Sequence, residues 1–181
     1  MSKPSICLIA AMTQDHIIGV DQTIPWDLPS DMRHFKATTM DHIVVMGRKT
    51  FVTMARKPLR GRTNIVVSTK DIPELDGDTR RSYGNNTSLL HAYTLESSLC
   101  LATRIASNTG QKIFVIGGGA LYEWFLPHAQ ELIITHVDVA VKPTDDVARF
   151  PQVDWSQYAE VEQTSGCDNS VNYTVKQYSK V

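Results

Sequence analysis

Nowhere in this chain of 181 residues is there an apolar run of about 18, so nothing in it reads as a membrane-spanning helix. Cysteine is scarce. Cys7, Cys100 and Cys167 are odd in number and widely spaced, which excludes a disulfide framework and a metal-binding spacing. They read as reduced, packed thiols. An excess of either charge is also lacking. Eighteen basic residues face nineteen acidic ones, for a net charge of −1, so no global field favours nucleic acid and ligands must be read by local clusters. The opening MSKPSICLIAAM shows no signal-peptide cleavage pattern, and its apolar stretch from Ile6 to Met12 is only strand length. A cytoplasmic protein is expected. Internal repeats are absent, as is the GxGxxG fingerprint at the head of a βαβ unit. The glycine triplet Gly117-Gly118-Gly119 comes late, and no early counterpart follows the first strand.

What is present suits one domain over residues 1–181, long enough for a full core. Strand patterns at Ser5–Met12, His42–Met46, Asn64–Ser68 and Lys112–Ile116 alternate with helical patterns at Pro29–Thr39, Lys49–Met54, Leu95–Ser107 and Ala120–Phe125. This alternation predicts an α/β fold with a mixed, predominantly parallel sheet flanked by helices. The tail differs. Leu132–Val137, Tyr158–Gln163 and Val171–Tyr178 leave little room for crossovers and predict antiparallel C-terminal strands, with Thr164–Ser170 as a hairpin loop. Residues 71–90, with turn signals at Asp76-Gly77 and Gly84-Asn85, predict an elaborated loop or edge hairpin.

The segment GVDQTIPWDLPSDMRHF, Gly19 to Phe35, holds the densest chemistry. Pro29 suits the first helical position, because it has no N–H to lose and its φ is already near helical. Asp31 then falls in the first turn with Phe35 one turn above it, and Trp26 and Leu28 sit just before the helix. A carboxylate framed by rings can hold a flat heterocycle through two hydrogen bonds. The alternative is that Asp31 only complements the helix dipole.

Three strand ends carry phosphate-binding groups. Gly47-Arg48-Lys49-Thr50 opens a helix with free N–H groups, two cations and a hydroxyl. Ser68-Thr69-Lys70 closes the next strand, and Gly117-Gly118-Gly119-Ala120 opens a late helix. Glycine triplets also serve plain tight turns, and basic residues at loop ends are often merely solvated.

Taken in order, Leu8-Ile9-Ala10-Ala11, Ile18-Gly19, Ile24-Pro25-Trp26-Asp27-Leu28-Pro29-Ser30-Asp31, Phe35-Lys36 and Val45-Met46-Gly47-Arg48-Lys49-Thr50-Phe51 form a highly specific set. Pro58-Leu59, Gly61-Arg62-Thr63-Asn64-Ile65-Val66-Val67-Ser68, Ile116-Gly117-Gly118-Gly119-Ala120-Leu121-Tyr122, Phe125-Leu126-Pro127, Thr135-His136 and Phe150-Pro151 continue it. The ordered set resembles the dihydrofolate reductases from residue 5 nearly to the end.

The resemblance implies NADPH-dependent reduction of 7,8-dihydrofolate to tetrahydrofolate, with hydride moving to pterin C6 and a proton to N5. It implies a role in one-carbon metabolism and in thymidylate, purine and methionine synthesis. It assigns Asp31, Trp26 and Thr135 to catalysis, with Thr135 assisting Asp31 through a water. Substrate contacts follow at Ile9, Leu28, Phe35, Met54, Ile116 and Arg62, the last pairing bidentately with the substrate's glutamate carboxylate; the alternative for Arg62 is a structural salt bridge. Cofactor contacts follow at Ala11, Ile18, Gly19, Gly47, Arg48, Lys49, Thr50, Ser68, Thr69, Lys70, Ile116, Gly117, Gly118, Gly119, Ala120, Leu121 and Tyr122. Many relatives have arginine where this chain has Ala120, which shifts phosphate recognition toward Lys49 and Lys70. Dihydrofolate and antifolates are the expected ligands, a monomer the expected state, with no metal. His16, His34 and His136 are the competing acid–base candidates. The rival readings are a riboflavin-pathway reductase, which should lack the set Trp26, Asp31, Phe35 and Arg62, and a non-catalytic folate- or nucleotide-binding protein.

Overall fold

A computed structural model describes residues 4–142 and 146–181. Nine strands form one sheet. In chain order they are β1 (Ile6–Thr13), β3 (Ile43–Gly47), β4 (Thr63–Val67), β5 (Arg80–Gly84), β6 (Thr87–Ala92), β7 (Ile113–Val115), β8 (Glu131–Val137), β10 (Tyr158–Asp168) and β11 (Val171–Lys180). A separate pair joins β2 (Ile17–Val20) to β9 (Val147–Arg149). The sheet order is β10-β11-β8-β1-β7-β3-β4-β6-β5. From β8 through β6 neighbouring strands run parallel, and antiparallel pairs close both ends, β8–β11–β10 on one side and β6–β5 on the other. The central strands are buried on both faces: β3 reads Ile-Val-Val-Met and β4 carries Ile65 and Val66, all within the core.

Four helices cover the sheet: α1 (Pro29–Thr39), α2 (Arg48–Thr53), α3 (Leu95–Thr109) and α4 (Gly119–Phe125). On one face Ala102 and Ala106 of α3 and Leu121, Tyr122 and Phe125 of α4 pack on Leu8, Val45 and Ile113. On the other, Phe51 of α2 and Phe35 of α1 pack on Ile9, Val44, Met46 and Ile133. α3 carries its own start and stop signals. Thr94 and Ser97 form a reciprocal capping box, and Gly110 ends the helix with φ +73°.

Three expectations change. Residues 71–90 do form an edge hairpin, but its inner strand β6 is a full member of the parallel sheet, paired with β4 from Thr63↔Ser88 to Val67↔Ala92. β10 continues to Asp168, so Thr164–Asp168 is strand and the turn is confined to Asn169 and Ser170, both left-handed at φ +48° and +65°. Only Cys7 is a packed thiol, held protonated by burial; Cys100 and Cys167 are exposed, and all three are free. No helix of the described residues is long and apolar enough to cross a membrane.

Candidate active site

The parallel strands deliver their carboxyl ends side by side, and the predicted site residues follow them. β8 carries Thr135, β1 carries Ile9 and Ala11, β7 leads into the glycine turn, β3 into Arg48 and Lys49, and β4 into Ser68, Thr69 and Lys70. At about 4.8 Å between strands, the run from β1 to β4 covers about 14 Å.

At the β8 end, Asp31 in the first turn of α1 meets Thr135, whose Oγ1 donates to Asp31 Oδ1 at 2.6 Å. The contact is direct. Burial pushes the Asp31 carboxyl above the ordinary carboxylate range, while the Thr135 hydroxyl and the His34 imidazole draw it back and the Asp168 carboxylate adds to the rise. Trp26 is half-buried and Leu28 fully buried at the entry to the helix. Ile9, Phe35, Met54 and Ile116 belong to one apolar cluster.

Arg62 is 4% exposed and lies against the C-terminal half of α1. Its Nε donates to Thr39 Oγ1 at 3.3 Å, its Nη1 to the Arg60 carbonyl at 2.6 Å and its Nη2 to the Lys36 carbonyl at 3.5 Å. All three acceptors are neutral, and burial pulls its pKa below the usual arginine value. No ion pair among the described residues engages it. The Asp41 carboxylate offsets part of that burial cost without forming an ion pair, so a buried guanidinium with donors to spare would gain from a further anion. Asp31 and Thr39 are separated by about 12 Å along α1, so the helix sets a carboxylate and a cation at two ends of one wall.

The glycine turn is tied to β3: Gly47 N–H donates to the Gly117 carbonyl at 2.9 Å. Gly117 has φ +122°, open only to glycine. A Cβ on Gly119 would meet the Arg149 carbonyl at 2.8 Å, so that position must also stay bare. Beside Gly118 only Thr50 Oγ1, at 3.8 Å, comes within 4 Å of an added Cβ, which leaves backbone open to a ligand. Among the described residues no ion pair engages Arg48, Lys49 or Lys70. Bare glycine backbone and unpaired cations fit a dinucleotide's phosphates. Ser68 is turned inward: its hydroxyl donates to the Lys70 carbonyl at 2.7 Å and accepts the Lys70 N–H at 3.0 Å, so it shapes the loop that presents Thr69 and Lys70. Tyr122 is buried, its hydroxyl donating to the Ile9 carbonyl at 2.7 Å, which links α4 to β1 between the two halves of the site. Ile18 packs on the same side, while Gly19 lies in β2, paired with Ala148 of β9. Ala120 is exposed and brings no charge.

Of the competing histidines, His16 and His136 stand away from Asp31, and His34 is close enough to act on it by charge. His136 follows Thr135 on β8 and so faces the opposite side of the sheet. With His16 and Trp155 it lines a cavity of about 470 Å³ that contains none of the predicted pterin or cofactor residues. His34 lies on α1 within 3.4 Å of the Thr38 hydroxyl.

Two residues escaped the sequence reading. Asp168, at the end of β10, accepts from Ser30 N–H at 2.6 Å and from Ser30 Oγ at 2.9 Å. Asn169 donates to the Asp27 carbonyl and side chain at 3.2 and 3.0 Å. The one available signal was negative: Leu28 stands where α1 needs a cap, and leucine has no acceptor.

Comparison with known proteins points to one family. The family model described as dihydrofolate reductase matches residues 5–180. The chain is 36% identical over 152 residues to dihydrofolate reductase type 3 of Salmonella typhimurium, covering 84% of this chain and 83% of that one. It is 32% identical over 175 residues to the dihydrofolate reductase of Bacillus subtilis, covering 97% and 94%. It is also 34% identical over 160 residues to dihydrofolate reductase HdrB of Haloferax volcanii, covering 86% and 75%. A match along nearly the whole chain, with a half-buried carboxylate at one end of the strand row and open glycine backbone at the other, leaves one conclusion: the chain belongs to the dihydrofolate reductase family.

Proposed function

We propose that this enzyme reduces 7,8-dihydrofolate to tetrahydrofolate with NADPH, and that Asp31 is the carboxylate that binds the pterin. The carrying observation is the Asp31–Thr135 pair, a part-buried carboxyl with a raised pKa beside an apolar wall. When bound, the reduced nicotinamide supplies the hydride. Asp31 holds the pterin's 2-amino group and N3 edge, which polarises the ring toward proton uptake at N5 and makes C6 a better hydride acceptor. Thr135 fixes which carboxylate oxygen faces the ring. Phe35, Met54 and Ile116 exclude water from the ring faces, and Trp26 and Leu28 close the entry. Arg62 receives the glutamate carboxylate, an assignment supported by its burial with no ion pair among the described residues engaging it, Asp41 acting only as the lesser charge against burial. Arg48, Lys49, Thr69 and Lys70 are assigned to the cofactor's phosphate groups, with the glycine turn at the pyrophosphate. Antifolates with a protonated diamino ring would compete at Asp31. The enzyme acts as a monomer, and in the cytoplasm, the latter reading supported by its three free thiols.

The test is direct. Purified protein mixed with NADPH should lose the reduced-nicotinamide absorbance only when dihydrofolate is added. Oxidation that ignores dihydrofolate, or turnover of a riboflavin-pathway pyrimidine in its place, contradicts the proposal.

A further inference from the structure

α1 begins without a cap of its own. Leu28 occupies the capping position and no local side chain accepts a helix N–H. The missing acceptor comes from a residue 138 positions away: Asp168 takes both the Ser30 N–H and the Ser30 hydroxyl on its two carboxylate oxygens. Its neighbour Asn169 grips Asp27. Two consecutive hairpin residues thus hold the chain on either side of Leu28-Pro29, immediately before Asp31.

The same hairpin fixes the other half of the pair. β10 hands Asp168 to the turn, and β11 returns from it to pair with β8 in the register Val175↔Thr135. One rigid ribbon therefore braces the strand that carries Thr135 and caps the helix that carries Asp31. We propose that Asp168 is a positioning residue for the pterin-binding carboxylate, setting Asp31 against Thr135 by capping α1 from the β10–β11 turn. This inference rests on the reading of Asp31 given above.

Charge supports the geometry. Four ionisable groups flank this turn: Asp168 from β10, Asp27 just before α1, and Arg33 and His34 on α1, with Asn169 donating to the Asp27 carboxylate and Arg33 Nη2 donating to Ser30 Oγ at 2.7 Å. Thr135 meets Asp31 from β8. Asp168 favours the protonated form of Asp31, and His34 opposes it. Asp168 complements the helix dipole as well, so it holds the turn and biases the proton together.

The experiment is single-turnover hydride transfer with NADPH and dihydrofolate, followed against pH in wild type, Asp168→Asn, Asp168→Ala and Asp31→Asn, with urea midpoints measured in parallel. Asp168→Asn keeps an acceptor oxygen and removes the charge. The limb on which the rate falls with rising pH should move to lower pH by about half a unit. Asp168→Ala should show that shift and a plateau about tenfold lower, the result of a loosened Asp31. A merely structural residue would lower the urea midpoints and leave the limb in place, and that result overturns the proposal. If Asp31→Asn leaves the limb intact, the assignment of Asp31 itself fails and takes the role of Asp168 with it. If Asp31→Asn abolishes the limb and both Asp168 variants keep it unmoved, only the role of Asp168 is overturned.

Discussion

Thr135 Oγ1 and Asp31 Oδ1 lie 2.6 Å apart although 104 residues separate them in sequence. The hydroxyl donates, so it stabilises the charged form of a carboxyl that burial otherwise pushes toward protonation. Thr135→Val keeps the shape of a residue only 3% exposed and deletes the donor. The Asp31 pKa should rise further, and the alkaline limb of the hydride-transfer profile should move to higher pH. This is opposite in sign to the expectation for Asp168→Asn. A Val variant whose limb moves to lower pH contradicts the account.

Arg62→Leu should weaken dihydrofolate binding by about 2–4 kcal/mol, the loss of a charge-assisted bidentate pair. A pterin without the glutamate should be nearly indifferent to the change. Because the guanidinium also braces Thr39 and Arg60, both substrates must be compared in the same variant. Equal weakening of the two would make Arg62 a brace and nothing more.

Arg48→Ala should raise the KM for NADPH and leave that for NADH almost unchanged. The preference should narrow by about 1–3 kcal/mol, and by less as salt rises. Measuring kcat/KM for both cofactors in wild type and variant decides the matter. Equal losses would assign Arg48 to the pyrophosphate or the fold.

How far the site could be read in advance depended on sequence distance. The bounds of α1 were legible because Pro29 and the apolar residues around it act locally, and the structure starts and ends that helix at Pro29 and Thr39. β6 was obscured because Thr87–Ala92 follows a run of Asp, Gly and Asn turn signals, and only pairing with β4 shows it to be a buried sheet strand. β9 is three residues long and exists through its pairing with β2. The Asp168 cap had no positive local signal, since its partner is Ser30. The loop position of Ser68 reads as phosphate-facing, but the hydrogen bonds of its hydroxyl with the Lys70 backbone had no signal of their own in the sequence.

On the far face of β8, burial first, then Lys176 and His16, press the His136 pKa below the ordinary imidazole value, against a smaller upward pull from Glu160. The unfolded chain therefore binds a proton near pH 6.5 that the folded one resists. Stability should fall as pH drops through that value toward the lower folded pKa. Urea midpoints at pH 7.5 and 5.5 should differ less in His136→Gln than in wild type. An unchanged difference would remove His136 from the acid sensitivity of the fold.

The account stands most directly on Asp31. Asp31→Asn keeps the size of the side chain and an acceptor for Thr135 while removing the charge. Single-turnover hydride transfer at pH 7, with NADPH and dihydrofolate both saturating, should fall by about 10² or more, while NADPH affinity stays at the wild-type value. An Asn variant that transfers hydride at the wild-type rate contradicts the account.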